Sequence, residues 1–274
     1  MLEAAAFASK LLLYGACLGA VGVATHRSIG LASAARVSIA LASAIVIAAV
    51  ACLLVVNAEM GGGLGAAFSA DTFGWTWGTL GRQATAFFVG AGVLIAGVVA
   101  GSRLLAAISA VVIAAGFGLA GHSAGLEAPG IAPMVVGLHV LIAGFWFFAP
   151  ASLWPHTGLS DADMTHRTRI FSRFAVIIVP VLFLSGGWLL WRIGGGVDGV
   201  LSSLYGRLLL GKLAVAAAIL GLGAANMTLV TRKLETAPAE GRRALRATLA
   251  ADAALFVGVL LLVASATSFT GPPQ

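Results

Sequence analysis

Residues 36–57 read RVSIALASAIVIAAVACLLVVN, with one charge at the leading end, one amide at the trailing end and only small hydroxyls between. About twenty such residues, wound as an α-helix at ~1.5 Å per residue, reach across the ~30 Å hydrocarbon core of a bilayer. A backbone crossing lipid has to satisfy its own hydrogen bonds, so the segment is expected to be a transmembrane helix.

The same reading extends outward to 8–25, 84–101, 103–121, 131–153, 171–191, 205–229 and 248–268. Apolar residues make up 60% of the 274-residue chain and charged residues 9%, with a mean hydropathy of +1.03. An average soluble domain is about 25% charged, so no water-soluble core accommodates this composition. Abundant Gly and Ala, without ten-residue apolar/polar alternation, favour a helical bundle over a transmembrane barrel. The fold class expected is all-α, a polytopic membrane helical bundle of about eight transmembrane helices. The connecting loops are short, so residues 1–274 are read as one integral membrane domain.

Orientation follows from the distribution of the 16 Lys and Arg. Arg27, Arg36, Arg103, Arg167, Arg169, Arg173, Arg232, Lys233, Arg242, Arg243 and Arg246 fall on one side of this arrangement, and Lys10, Arg82, Arg192, Arg207 and Lys212 on the other. The richer side is expected to be cytoplasmic, which places both termini on the periplasmic side. The net charge of +6 is thereby explained by topology, and nucleic acid is not expected as a partner. The opening MLEAAAFASK lacks a charged n-region and a small-residue cleavage site, so span 1 is expected to persist as a helix.

Between the spans, NAEMGGGLGAAFSADTFGWTWGTLGR (57–82) is the longest outward loop, flexible at its glycines and anchored by Trp75 and Trp77. HTGLSDADMTHRTR (156–169) and TRKLETAPAEGRRALR (231–246) read as solvated cytoplasmic loops. Gly15 with Gly19, and Gly97 with Gly101, have the four-residue spacing that lets helices approach closely. Pro180 removes a backbone hydrogen bond inside the sixth span. Cys17 and Cys52 lack a CxxC partner and read as small apolar packing residues.

Chemistry is concentrated near the outward face. His122 closes span 4 in GLAGHSAGLE, and His139 lies about two turns into span 5 in IAPMVVGLHVLIAGFW. Antiparallel neighbouring helices can bring them together. Imidazole binds copper, zinc, iron and nickel, and an ionisable group inside a membrane is by default a functional candidate. For His139 an interhelical hydrogen bond is the alternative. Further candidate ligands on this face are Met134, Met60 and Glu127, followed by Glu59 and Asp71; thioethers favour Cu(I), carboxylates harder ions. His26, His156 and His166 are assigned to cytoplasmic loops, outside this site.

Arg207 and Lys212 are expected to snorkel to the outer interface. Asn226 is expected to bond between helices, and Asp252 is a lesser candidate for proton relay. GRLLLGKL has GxxxxGK spacing, but Leu213 replaces the required hydroxyl residue and no strand precedes it, so nucleotide binding is rejected. HExxH and GxSxG motifs are missing as well, and no enzymatic activity is expected.

GHSAGL, LHVLIAGFW, RIFSRFAVIIVPVLFLSGGWLL, LYGRLLLGKLAVAAAILGLGAANMTLV and a closing helix ending in TGPP follow one another in this chain. In that order and spacing the sequence resembles the CopD family of bacterial inner-membrane copper-resistance or copper-uptake proteins. The resemblance implies copper as the ion, His122 and His139 as its candidate ligands, and a periplasmic CopC-like copper-binding protein as partner. It also marks Phe171, Ser172, Tyr205, Gly206, Lys212 and Asn226 as recurrent positions. FFAPASLWP follows Trp146 where many relatives have a Gly-rich turn, a departure at the inner end of span 5.

The expected function is copper transport across, or acceptance and hand-off at, the bacterial inner membrane through a periplasmic-face histidine site. A haem-binding electron-transfer protein with axial histidines is one alternative. A non-transporting scaffold that loads copper into another protein is a second.

Overall fold

A computed structural model describes residues 1–31, 35–156 and 158–270. In chain order the helices are α1 (Leu2–Ser28), α2 (Ala35–Met60), a 3-10 turn (Leu64–Ala66), α3 (Ala70–Val99), α4 (Arg103–Gly116), α5 (Ala132–Phe147) and α6 (Ala149–Ser152). There follow α7 (Asp161–Ile193), α8 (Gly196–Ser202), α9 (Leu204–Ala225), a π-helical segment (Asn226–Val230), α10 (Thr231–Thr236) and α11 (Pro238–Phe269). The described residues contain no strand. Residues 271–273 of the TGPP motif, and Thr157 of the 156–169 segment, lie outside them.

Seven helical stretches among the described residues are long and apolar enough to cross a membrane. The eighth expected span, 103–121, is helical only over the 14 residues of α4. At ~1.5 Å per residue α4 reaches about 21 Å, well short of the hydrocarbon thickness. Ser102 caps its start by accepting from the Leu105 amide, and the helix stops where GFGLAG begins. Gly118 packs so closely there that a Cβ would lie 2.3 Å from the Pro133 carbonyl, and Gly121 has φ +79°, which favours glycine. The turns of 117–131 therefore take the place of the outer part of the expected span.

Three expected loops are largely helical, the 156–169 segment because α7 starts at Asp161 and so carries His166. The 57–82 segment turns only over 61–69, because Asn57 organises it. Its Nδ2 donates to the carbonyls of Ala66, Ala67 and Ser69 at 3.0–3.1 Å, and its Oδ1 accepts from Thr72 and Thr76 at 2.9 and 3.0 Å. Trp75 and Trp77 consequently sit on α3. The 231–246 segment is α10 plus the first turns of α11, interrupted at Ala237 before Pro238. Gly101 is a turn residue with φ +61°, so of the two glycine pairs only Gly15 and Gly19 both lie on a helix.

Two apolar cores meet along α1. One is built from α1 to α4, the other from α5, α7 and the α9–α11 region. The join between α1 and α5 depends on Gly22 and Gly144. A Cβ on Gly22 would lie 2.3 Å from the Gly144 carbonyl oxygen, and one on Gly144 would lie 2.5 Å from Val21 Cγ1. Backbone contact this close is a common packing mode in lipid, where water-driven association is missing.

His26, expected in a loop, is instead fully buried near the end of α1. Its Nε2 donates to the Phe145 carbonyl at 2.9 Å, and its Nδ1 accepts from Ser152 Oγ at 2.7 Å. Phe145, Phe148 and Phe171 enclose the ring. It clamps α1 to α5 and α6 and has no free nitrogen. At the other end of α1, Lys10 Nζ donates to the Thr267 carbonyl, and Tyr14 OH donates to Thr267 Oγ1 at 3.2 Å. The first and last helices thus close against each other, with the N-terminal end of α1 beside the C-terminal end of α11.

Candidate functional site

Between α1, α2, α5, α7, α9 and α11, in the half of the bundle that holds both ends of the described chain, lies a cavity of 590 Å³. Apolar side chains, Leu and Val foremost, form most of its wall. Its polar lining includes Lys10, Tyr14, Glu59, His122, His139 and Lys212. Trp146, Ile219 and Phe256 line it toward the opposite end, where the Trp146 and Phe256 rings meet edge to face at 6.3 Å.

His139 is held from behind by α7. Ser185 Oγ donates its single hydrogen to the Leu182 carbonyl at 2.9 Å, so at the 3.0 Å contact with His139 Nδ1 the imidazole is the donor. A neutral ring that donates from Nδ1 keeps its lone pair on Nε2. Gly186 provides the room: a Cβ there would lie 3.1 Å from His139 Cε1. Ring orientation and tautomer are therefore set by Ser185 and Gly186 within LFLSGGW, the kind of outer support that fixes metal-binding imidazoles.

His122 comes from the turns after α4 and is partly buried. Its ring meets Tyr205 edge to face at 5.7 Å. The segment is tied to the end of α7 where Arg192 Nη2 donates to the Ala128 carbonyl at 2.8 Å. Burial, and secondarily the charge of Lys10, pushes the His122 pKa below its ordinary value of 6.5. Its imidazole is therefore neutral at pH 7, the protonation state a metal requires.

The structure thus brings His122 and His139 to one cavity, although no ring contact or hydrogen bond joins them among the described residues. Of the accessory candidates only Glu59 lines it. Met134 is 76% exposed on the outer surface of α5. Met60 is 44% exposed, and its sulfur lies 3.5 Å from Thr76 Oγ1, whose hydrogen goes to Asn57 Oδ1. Glu127 and Asp71 are exposed. Among the described residues no three His, Cys, Asp or Glu side chains are grouped to hold a metal. His156 and His166 are exposed at the opposite end.

Lys212 does not snorkel outward: it lines the cavity, close enough for its charge to act on His139. Tyr205 and Lys212, two turns apart on α9, line the same wall. Asn226 makes the expected interhelical bond, accepting from Thr248 Oγ1 of α11 at 2.5 Å. Asp252 is buried beyond the cavity, its Oδ1 without a hydrogen-bond partner among the described residues. Ser185, Gly186, Lys10 and Tyr14 were not singled out from sequence. The small polar interruption LSGGW within an apolar span was the available signal for the first two.

Residues 165–266 match the family model described as CopD, Copper resistance protein D. That segment carries Ser185, Gly186, Tyr205, Lys212, Asn226 and Asp252, whereas His122 and His139 precede it. Over 140 residues the chain is 34% identical to Copper resistance protein D of Pseudomonas syringae pv. tomato. This covers 46% of the chain and 45% of that protein, so the chain spans about half the length of the curated relative it matches. No solved structure matches.

Proposed function

We propose, on the premise that residues 165–266 form a CopD-family segment, that this chain is a multi-pass bacterial inner-membrane protein that accepts copper from the periplasmic side. His122 and His139 are the proposed protein ligands, and the ion then moves inward or passes to another protein. The observation that carries this reading is that both imidazoles line one cavity, with His139 Nε2 left free by its Nδ1 contact to Ser185. Two imidazole nitrogens suit Cu(I), which accepts low coordination numbers, and few ligands permit release. Met134, Met60 and Glu127, outside the cavity lining, are proposed at most as peripheral capture groups for an arriving ion. A periplasmic CopC-like protein is the proposed donor.

The test is copper content and affinity of detergent-purified protein against His122→Ala and His139→Ala. About one copper per chain in the wild type, lost in both variants, is expected; binding unchanged in both sinks the two-histidine site. Copper uptake into sealed vesicles then separates a transporter from a loading scaffold. The 590 Å³ volume and apolar wall of the cavity favour one second reading, a haem held by the same histidines. An intense Soret band in the purified protein would select it.

A further inference from the structure

The cavity presents a cation where a metal-ion site is expected to present anions. Lys10 keeps its charge but directs one N–H to the Thr267 carbonyl at the chain-end side of the cavity, and Glu59 is exposed. Lys212 has no hydrogen-bond or ion-pair partner among the described residues, lines the cavity, and lies within electrostatic range of His139. An ammonium in surroundings this apolar repels a bare cation at the neighbouring imidazole and attracts an anion strongly, because little solvent screens it. Two imidazoles are the low end of what Cu(I) accepts, and no third His, Cys, Asp or Glu is grouped with them among the described residues, so a coordination position stays open for a ligand from solution.

Both deficits are met by one group. We propose that Lys212 makes the His139 side of the cavity an anion subsite, so that copper is accepted there together with a small anionic ligand, a halide or carboxylate, lying against the ammonium. The anion completes the metal's coordination and neutralises Lys212, and the complex enters an apolar cavity with less net charge than the bare ion. No covalent bond of the protein changes. This inference rests on the copper reading above and adds the form in which copper arrives.

Copper(I) affinity, measured by chelator competition in perchlorate, acetate and chloride buffers, tests it. Chloride in solution competes for Cu(I), so a protein that binds the bare ion loses apparent affinity as chloride rises. The wild type is expected to hold or gain affinity in chloride, acetate, or both, which identifies the anion class. Lys212→Gln and Lys212→Met are expected to fall about tenfold behind it in the favoured anion, the size of one charge-assisted contact. Equal anion dependence in wild type and variants overturns the proposal.

A second readout needs no copper. Chloride-35 NMR line broadening by the copper-free wild type, lost in both variants, supports the subsite. Broadening that is missing in the wild type, or unchanged in the variants, removes it. Failure of the wild type to bind copper in any buffer strikes the copper reading instead, and the line-broadening result still decides the anion subsite.

Discussion

At the residue scale, the chemistry depends on which ring nitrogens are already engaged. His26 has committed both, whereas the Nδ1 contact of His139 leaves Nε2 open to the cavity. Ser185→Ala removes the acceptor that fixes the His139 ring, and is expected to weaken copper binding about 10- to 100-fold while preserving stoichiometry; chelator competition checks it. The depressed pKa of His122 sets a pH window. Protons compete for a ligand only as pH falls below its pKa, and this one lies under the ordinary 6.5. The His122 contribution to copper affinity should therefore persist to lower pH than an ordinary imidazole's would and decline as pH falls through the lowered pKa, a decline that His122→Ala removes from the affinity profile. Linkage has the same sign: the stability that the neutral ring contributes is full above pH 6.5 and is lost as pH falls toward the lowered value. Both histidines were legible because imidazole is rare in apolar sequence. The role of Lys212 was not, since its composition cannot distinguish a side chain that snorkels from one that turns inward.

At the element scale, the apolar runs located the helices, while their ends were governed by groups that hydropathy averages away. Asn57 extends order through 61–69 into an early start for α3, and its amide serves five partners. Asn57→Ala strands several of these groups and is expected to cost about 2–3 kcal/mol; a lowered unfolding midpoint with faster proteolysis within 61–69 checks it. Glycines that looked interchangeable proved unequal. Gly62 and Gly63 have open space around them, whereas Gly22 and Gly144 form the join between α1 and α5. Gly144→Val, which drives a side chain against Val21 and the Leu18 carbonyl, should destabilise by about 1–3 kcal/mol or more. The same substitution at Gly62, where φ is +79°, acts only through backbone strain in an exposed turn, and thermal unfolding of the pair separates the two causes. The Gly-rich stretch after α4 was also visible, but hydrophobicity extended the span across it to residue 121.

At the scale of the whole molecule, the positive charges divide between the two ends of the bundle as the sequence reading assigned them, with the cavity at the poorer end. Reporter fusions at the N- and C-termini are expected to mark both as periplasmic; a cytoplasmic signal from either overturns the orientation. The all-helical, membrane-crossing character was the most legible, because membrane insertion follows gross composition. The cavity was less so, because it is assembled from helices far apart in sequence.

The closure of α1 against α11 has a further consequence. Ala6 and Ser9 near one end of the described chain, and Ala266 and Thr267 near the other, border the same cavity. A metal-donating domain joined by a short flexible tether to either end is thereby held near these helix ends at an effective concentration of the order of millimolar, so that even weak docking becomes productive.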